Sequence, residues 1–250
     1  MAATGVLIEA CVDSVPSALA AEAGGAGRVE LCDNMIEGGT SPSAGTIEEA
    51  KARLRIPVFV MIRPRGGDFL YSEVEYDVMR RDIAHARELG ADGVVLGLLD
   101  RNGNVDVVRT RALVESARPL PVTFHRAFDV ARDADEALDA LVGLGVERVL
   151  TSGLAPTAME GISLIARLVQ RAAGRIGVLP GCGIDDTNVQ DLVGRTGVRE
   201  VHVRGTSPVR SRMAFRNPRV SFRAAVEGDD SVLDVTDAER IRAVARRLEA

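Results

Sequence analysis

The stretch RVELCDN, residues 28–34, alternates apolar and chemically active side chains. Successive side chains of a strand point to opposite faces, so its valine and leucine share one face while Glu30 and Cys32 share the other. The stretch LIEACVDS, residues 7–14, places a glutamate and a cysteine at the same spacing. We interpret both stretches as strands of one sheet that turn a carboxylate and a thiol towards a shared interior.

Runs of the same kind recur along nearly the whole chain. Eight short, β-branched runs alternate with longer amphipathic segments, and each starts roughly 22 to 35 residues after the one before, the spacing of a repeated βα unit. We therefore predict an α/β fold, a single (β/α)8 TIM-type barrel, in preference to an open doubly wound sheet. The predicted strands span residues 6–11, 28–32, 57–63, 92–97, 121–125, 147–152, 175–180 and 200–204.

The sequence indicates a single domain. No linker rich in proline or serine and no shift in composition divides the chain of 250 residues. We expect residues 1–225 to form the β/α barrel and residues 226–250 to form a C-terminal extension of the same domain. The pattern from Thr236 to Glu239 is a capping box, which predicts a terminal helix in that extension.

Composition narrows the classes of function. The net charge is −5, only 3% of residues are aromatic and tryptophan is absent, so the chain lacks the basic surface and stacking side chains of a nucleic-acid-binding protein. We see neither an export signal nor an apolar run of membrane-spanning length. Three cysteines, an odd number, favour reduced thiols over a disulfide framework. We expect a cytoplasmic protein that acts on a small molecule or a metal, without nucleic-acid or membrane partners.

The strand faces predict a charged interior at one end of the barrel. In a parallel barrel the outward residues lie under helices, and the inward residues lead to a pocket at the C-terminal mouth. Ionisable residues on the inward face must pair or line a wet pocket, because burying them alone is costly. We expect Arg63 to neutralise the two glutamates, although a purely structural network of ion pairs stays an alternative. The candidate acid–base residues are Glu9, Glu30, His125 and His202.

Glycine-containing loops after the sixth and seventh strands suggest an anion site. The segments TSG and PGCGI follow these strands, and glycine lets backbone N–H groups approach an anion such as phosphate. The plain alternative is that these glycines are turn residues. The candidate anion-binding residues are Arg63, Thr151, Ser152, Gly153, Gly181 and Gly183.

Several long motifs resemble those of the CutC copper-homeostasis family. ELC…EGGTSPS, IRPRGGDF and TFHRAFD occur in order, and the resemblance extends from about Leu7 to Asn217. It implies a single β/α barrel, a cytoplasmic location, self-association into a homo-oligomer, and handling of copper as Cu(I). Two positions depart from the family pattern: Arg204 stands where a small hydroxyl residue is usual, and Cys182 where glycine or alanine is usual.

Cysteine placement is compatible with copper. Cu(I) prefers thiolate and thioether ligands, and Cys11 and Cys32 end adjacent strands that lie about 4.8 Å apart in a sheet. Met61 could assist, and Cys182 could add a third sulfur. The alternative is that these cysteines are small core residues.

An enzyme is the second hypothesis for the same pocket. A glutamate would act as general base, His125 or His202 as acid, and Arg63 with the glycine loops would hold a small phosphate- or carboxylate-bearing metabolite. This hypothesis uses the polar residues that a copper carrier leaves without a role.

Overall fold

The computed structural model describes residues 5–217, 219–221 and 229–249. Eight parallel strands alternate with helices, which confirms the predicted barrel. The ends of each strand lie within about two residues of the predicted ends, and most strands are shorter than predicted. The strands are β1 (Leu7–Val12), β2 (Arg28–Leu31), β3 (Val58–Met61), β4 (Gly93–Leu96), β5 (Val122–Phe124), β6 (Arg148–Thr151), β7 (Gly177–Pro180) and β8 (Glu200–Val203).

The helices begin where the sequence supplies caps. Ser72 and Glu75 form a reciprocal capping box at the start of the third helix, and Ser14 caps the first. Short 3-10 helices, Met35–Glu37 and Arg126–Val130, follow β2 and β5. The helices are α1 (Val15–Gly24), α2 (Ala44–Arg53), α3 (Glu73–Glu88), α4 (Val107–Ala117), α5 (Ala134–Gly143), α6 (Ile162–Ala172), α7 (Val189–Thr196) and α8 (Ala238–Glu249).

Strand pairing sets which side chains meet inside the barrel. The ladder runs from β7 through β6, β5, β4, β3, β2 and β1 to β8, and β7 adjoins β8 at a seam where the described residues show no ladder pairing. Glu9 on β1 lies opposite Arg28 of β2 and His202 of β8. Cys11 lies opposite Glu30. The outward residues of β1 and β2 are buried under the helices, as the alternation predicted.

A C-terminal extension packs on the outside of the barrel. Strands β9 (Thr206–Arg210) and β10 (Val232–Thr236) form an antiparallel pair, and Ile241 of α8 is fully buried. The terminal helix is therefore confirmed, but its cap differs from the predicted one. Asp237, not Thr236, accepts the backbone N–H of Glu239, at 2.9 Å, because Thr236 ends β10.

The predicted boundary between residues 225 and 226 lies outside the described residues. Within the described ranges, no helix has both the length and the apolar character that a membrane crossing requires.

Candidate metal and ligand site at the barrel mouth

A cluster of sulfur atoms lies at the inner end of the mouth. Cys11, in β1, and Cys32, directly after β2, are 6% and 1% exposed. Ligand atoms of Cys11, Glu30 and Cys32 all lie within 4.8 Å of one another. Met61 packs in the same buried cluster, and the Cys11 Sγ lies 3.8 Å from the Sδ of Met35. Two thiols and two thioethers therefore meet in one place.

Glycine allows this close approach. Gly39 has φ +92°, and a Cβ there would lie 3.2 Å from the Cys32 Sγ. A larger residue at this position would strain the backbone and push against the Cys32 thiol, so both the backbone conformation and the contact favour glycine.

The two thiols differ in acidity. A hydrogen bond from Cys32 lowers the pKa of Cys11 well below its usual range, against the effect of burial and with help from His202. The same bond, with burial, raises the pKa of Cys32 well above its usual range. The hydrogen bond between the two thiols therefore shifts their pKa values in opposite directions, and Cys11 is the more acidic of the pair.

Glu9 is locked in an ionised state. The Arg28 guanidinium binds both Glu9 and Glu200, and the His202 Nδ1 lies 2.8 Å from the Glu9 Oε1. Burial alone would raise the pKa of Glu9, but the hydrogen bond from His202 and the charge of Arg28 lower it to about 2. Arg28 and Arg148 also cover the ring of Phe59, at 4.9 and 5.1 Å from its centroid.

Arg28 was missed in the sequence. Residues 28, 30 and 32 lie on the same face of the strand, so the alternation that placed Glu30 and Cys32 inside the barrel would also have placed Arg28 there, next to Glu9.

Glu30 is the glutamate that can carry a proton. Burial and the negative charge of Cys11 raise the pKa of Glu30 well above its usual range. Its Oε2 lies 3.7 Å from the His202 Nε2, and its Oε1 has no hydrogen-bond partner among the described residues. Burial opposes the charged form of His202, but Glu30, Cys11 and Glu9 together raise its pKa well above the usual range. The pKa values of two glutamates in one pocket are thus shifted in opposite directions, the pattern typical of acid–base sites.

Arg63 does not neutralise the glutamates, so this prediction was wrong. Its Nη1 donates to the carbonyl oxygens of Glu37 and Gly39, at 2.6 and 2.7 Å, and its Nη2 to that of Gly67, at 3.0 Å. The three carbonyls point towards the barrel interior, and the guanidinium supplies the hydrogen-bond donors that they require. Glu9 pairs with Arg28 instead.

His125 lies at the mouth as predicted, but it is neutral. It is 3% exposed, and burial together with the charge of Arg63 lowers its pKa to about 3. Its Nδ1 accepts the backbone N–H of Ala127 at 3.2 Å, so the ring proton is on Nε2.

The protein's own carboxylate fills the predicted phosphate cradle. Asp129 accepts from the Thr151 Oγ1 at 2.5 Å, from the Ser152 N–H at 2.9 Å and from the Leu154 N–H at 3.3 Å. The N–H groups of Gly153 and Gly181 donate to Thr151. Thr151, Ser152, Gly153 and Gly181 are thus committed internally, which corrects the expectation that they bind a foreign anion. No sequence signal marks Asp129 as their partner.

A cavity of about 550 Å³ joins these groups. Cys11, Glu30 and His202 border it, as do Arg63 and His125. Gly183 and the exposed Arg204 also line it, so the departure at 204 adds a charge to the mouth.

Cys182 stands apart from the sulfur cluster. Its Sγ accepts from the Arg126 Nη1 at 2.9 Å, and in the described part of the chain it does not join the group of Cys11, Glu30 and Cys32. The geometry therefore gives no support to Cys182 as a third ligand.

Comparisons with known proteins agree with these motifs. The model of the CutC family matches residues 6–207. Copper homeostasis protein cutC homologs from Mus musculus and Homo sapiens are each 51% identical over 241 residues, covering 96% of this chain and 89% and 88% of those relatives. The crystal structure of the putative copper homeostasis protein CutC from Streptococcus agalactiae is 39% identical, with a TM-score of 0.76, and covers 79% of this chain and 98% of that one.

Proposed function

This chain belongs to the CutC family, and from that premise we propose that it binds copper as Cu(I) through Cys11 and Cys32. The observation that carries the proposal is the buried sulfur cluster. Cu(I) is a soft ion that prefers thiolate and thioether ligands, and Cys11, Cys32, Met35 and Met61 offer two of each kind. Relatives named for copper homeostasis support the same assignment.

The distances fit such an ion. With metal–sulfur bonds of about 2.3 Å, two sulfurs would be about 4.6 Å apart in a linear site and about 4.0 Å apart in a trigonal one. The Cys11 and Cys32 sulfurs lie within 4.8 Å of each other, so little movement is required. Cys11 is the more acidic of the two thiols, and binding of the ion would displace the protons that the two sulfurs carry.

Titration with Cu(I) tests this site. Reduced protein, kept free of oxygen and titrated against a chromogenic Cu(I) chelator, should take up one ion per chain. Cys11→Ser and Cys32→Ser should each abolish the uptake, whereas Cys182→Ser, which changes a thiol outside the cluster, should leave it intact. Unchanged uptake in both cluster variants would remove the basis of the proposal.

An acid–base enzyme is a second candidate, and Glu30 favours it. Copper binding by the sulfurs leaves the opposite pKa shifts of Glu9 and Glu30, which both lie beside His202, without a role. We propose that Glu30 exchanges a proton with a small anionic metabolite in the cavity. Exchange of carbon-bound hydrogen for deuterium, followed by NMR over a panel of small carboxylates and phosphates, should show turnover in wild type that is absent in Glu30→Gln. A panel without exchange would count against this candidate.

Location and assembly are proposed from the family. We propose that the protein is cytoplasmic and a homo-oligomer, without nucleic-acid or membrane partners. One chain has a mass of 26.6 kDa, and light scattering on the purified protein should give the mass of two or more chains. A monomer at micromolar concentration would contradict self-association.

A further inference from the structure

Arg63 is a buried cation without a carboxylate partner. It is 4% exposed, and no carboxylate oxygen of the described residues lies within 4.0 Å of its nitrogens. Its Nη atoms donate to three backbone carbonyls, and its Nε has no hydrogen-bond partner among the residues described. Arg65, two residues along, pairs instead with Asp68 and Glu75, at 3.0 and 2.6 Å. Since a buried charge is costly without a counter-ion, Arg63 calls for an anion.

His125 supplies a second unused donor beside it. Because its Nδ1 accepts from Ala127, its Nε2 carries the proton, and that N–H has no acceptor within the described ranges. Gly97 leaves room for the ring, because a Cβ at that position would lie 2.5 Å from both the Nδ1 and the Cε1 of His125. A neutral imidazole cannot form an ion pair, but it can donate one hydrogen bond to an oxygen of a ligand.

The two donors belong to one wall of the cavity. Both residues border it, as does Phe69, whose ring centroid lies 5.1 Å from the Arg63 Cζ and 5.0 Å from the His125 ring centroid. Phe69 thus lies next to both the guanidinium and the imidazole. We propose that this wall binds the carboxylate group of a small organic anion, one oxygen accepting from the Arg63 Nε–H and the other from the His125 Nε2–H.

The donor set selects a carboxylate rather than a phosphate. Two N–H donors match the two oxygens of a carboxylate, whereas a phosphate dianion gathers more donors, usually backbone N–H groups. The N–H groups that could supply them are taken by Asp129. The cavity wall also includes Met61, Leu150 and Ile184, which an apolar ring attached to the carboxylate could contact.

This subsite does not depend on copper. The sulfur cluster is formed by other residues, and the carboxylate subsite would equally serve the acid–base candidate by holding its substrate beside Glu30. Binding of a carboxylate to copper-free protein therefore tests the subsite without testing the metal site.

The probe is benzoate, compared with its neutral amide, benzamide, and with phenyl phosphate. Calorimetric titration of copper-free, reduced protein should show that benzoate binds at least tenfold more tightly than either analogue. Arg63→Gln and His125→Phe should each weaken benzoate binding roughly 10- to 100-fold, the usual effect of losing a hydrogen bond to a charged group. His125→Gln should recover part of the affinity, because its amide can donate.

Matched variants separate the subsite from its surroundings. Arg65→Gln removes a neighbouring arginine outside the cavity, and this protein should bind benzoate like wild type. Equal affinities for benzoate and benzamide, tighter binding of phenyl phosphate, or unchanged binding in His125→Phe would each overturn the proposal. If Arg63→Gln does not fold because three carbonyls lose their donor, His125→Phe decides the outcome.

Discussion

Replacing His125 by glutamine should remove a large part of the protein's sensitivity to acid. The pKa of His125 is about 3 in the folded protein, against the ordinary histidine value of 6.5. Between these values the unfolded chain binds a proton that the folded chain does not, so stability is complete above pH 6.5 and is lost as pH falls towards 3. For a side chain that is 3% exposed, the loss between pH 7 and pH 4 is about 3 kcal/mol.

Urea unfolding, followed by circular dichroism at pH 7, 6, 5 and 4, measures this loss. Wild type should lose about 3 kcal/mol more than His125→Gln over that interval. His85→Gln is the matched control, because His85 is an exposed residue of α3 and its variant should follow wild type. An equal loss in wild type and His125→Gln would refute the neutral, buried histidine on which the carboxylate subsite depends.

Three other substitutions test the framework of the site. Arg28→Met should lower the free energy of unfolding by roughly 3 to 5 kcal/mol, because it removes the guanidinium from the buried carboxylate of Glu9 and leaves His202 as the remaining partner. Arg80→Met, on a 60% exposed side chain, should change it by less than about 0.5 kcal/mol. Urea unfolding at pH 7 compares the two variants, and equal effects would contradict the pairing. Asp129→Gly should free the N–H groups of Ser152 and Leu154 after β6. Sulfate should then bind there and raise the melting temperature of the variant but not of wild type. No effect of sulfate would show that these N–H groups are not an anion site. Gly39→Ala should weaken Cu(I) binding and destabilise the fold more than Gly90→Ala, which has a similar positive φ but open space around it; equal behaviour would mean that contact with the thiol is unimportant.

The barrel could be predicted because its strands are short and regular, and alternation alone assigned their faces. The same alternation placed Glu9, Cys11, Glu30 and Cys32 in one interior, as the structure shows. It could also have identified Arg28, which lies on the same strand face as Glu30 and Cys32.

The loops could not be predicted in this way. Arg63 follows β3 on the inward face, as the alternation predicted. Its partners, however, are carbonyl groups of loops, and the alternation along strands does not predict the path of a loop. Asp129 lies more than 20 residues from Thr151 in sequence, and the two meet because neighbouring βα loops cross the mouth. The glycines in TSG and PGCGI suggested backbone N–H groups open to an anion, but they could not indicate that the carboxylate of Asp129 accepts from the N–H groups of Ser152 and Leu154.

The most direct test of copper binding by the sulfur cluster is X-ray absorption at the copper edge, on anaerobic protein loaded with one equivalent of Cu(I). We predict a first shell of two or three sulfur atoms at about 2.3 Å, which is lost in the variant that carries both Cys11→Ser and Cys32→Ser. A first shell of oxygen or nitrogen alone in wild type, or a sulfur shell that persists in that variant, would contradict the assignment.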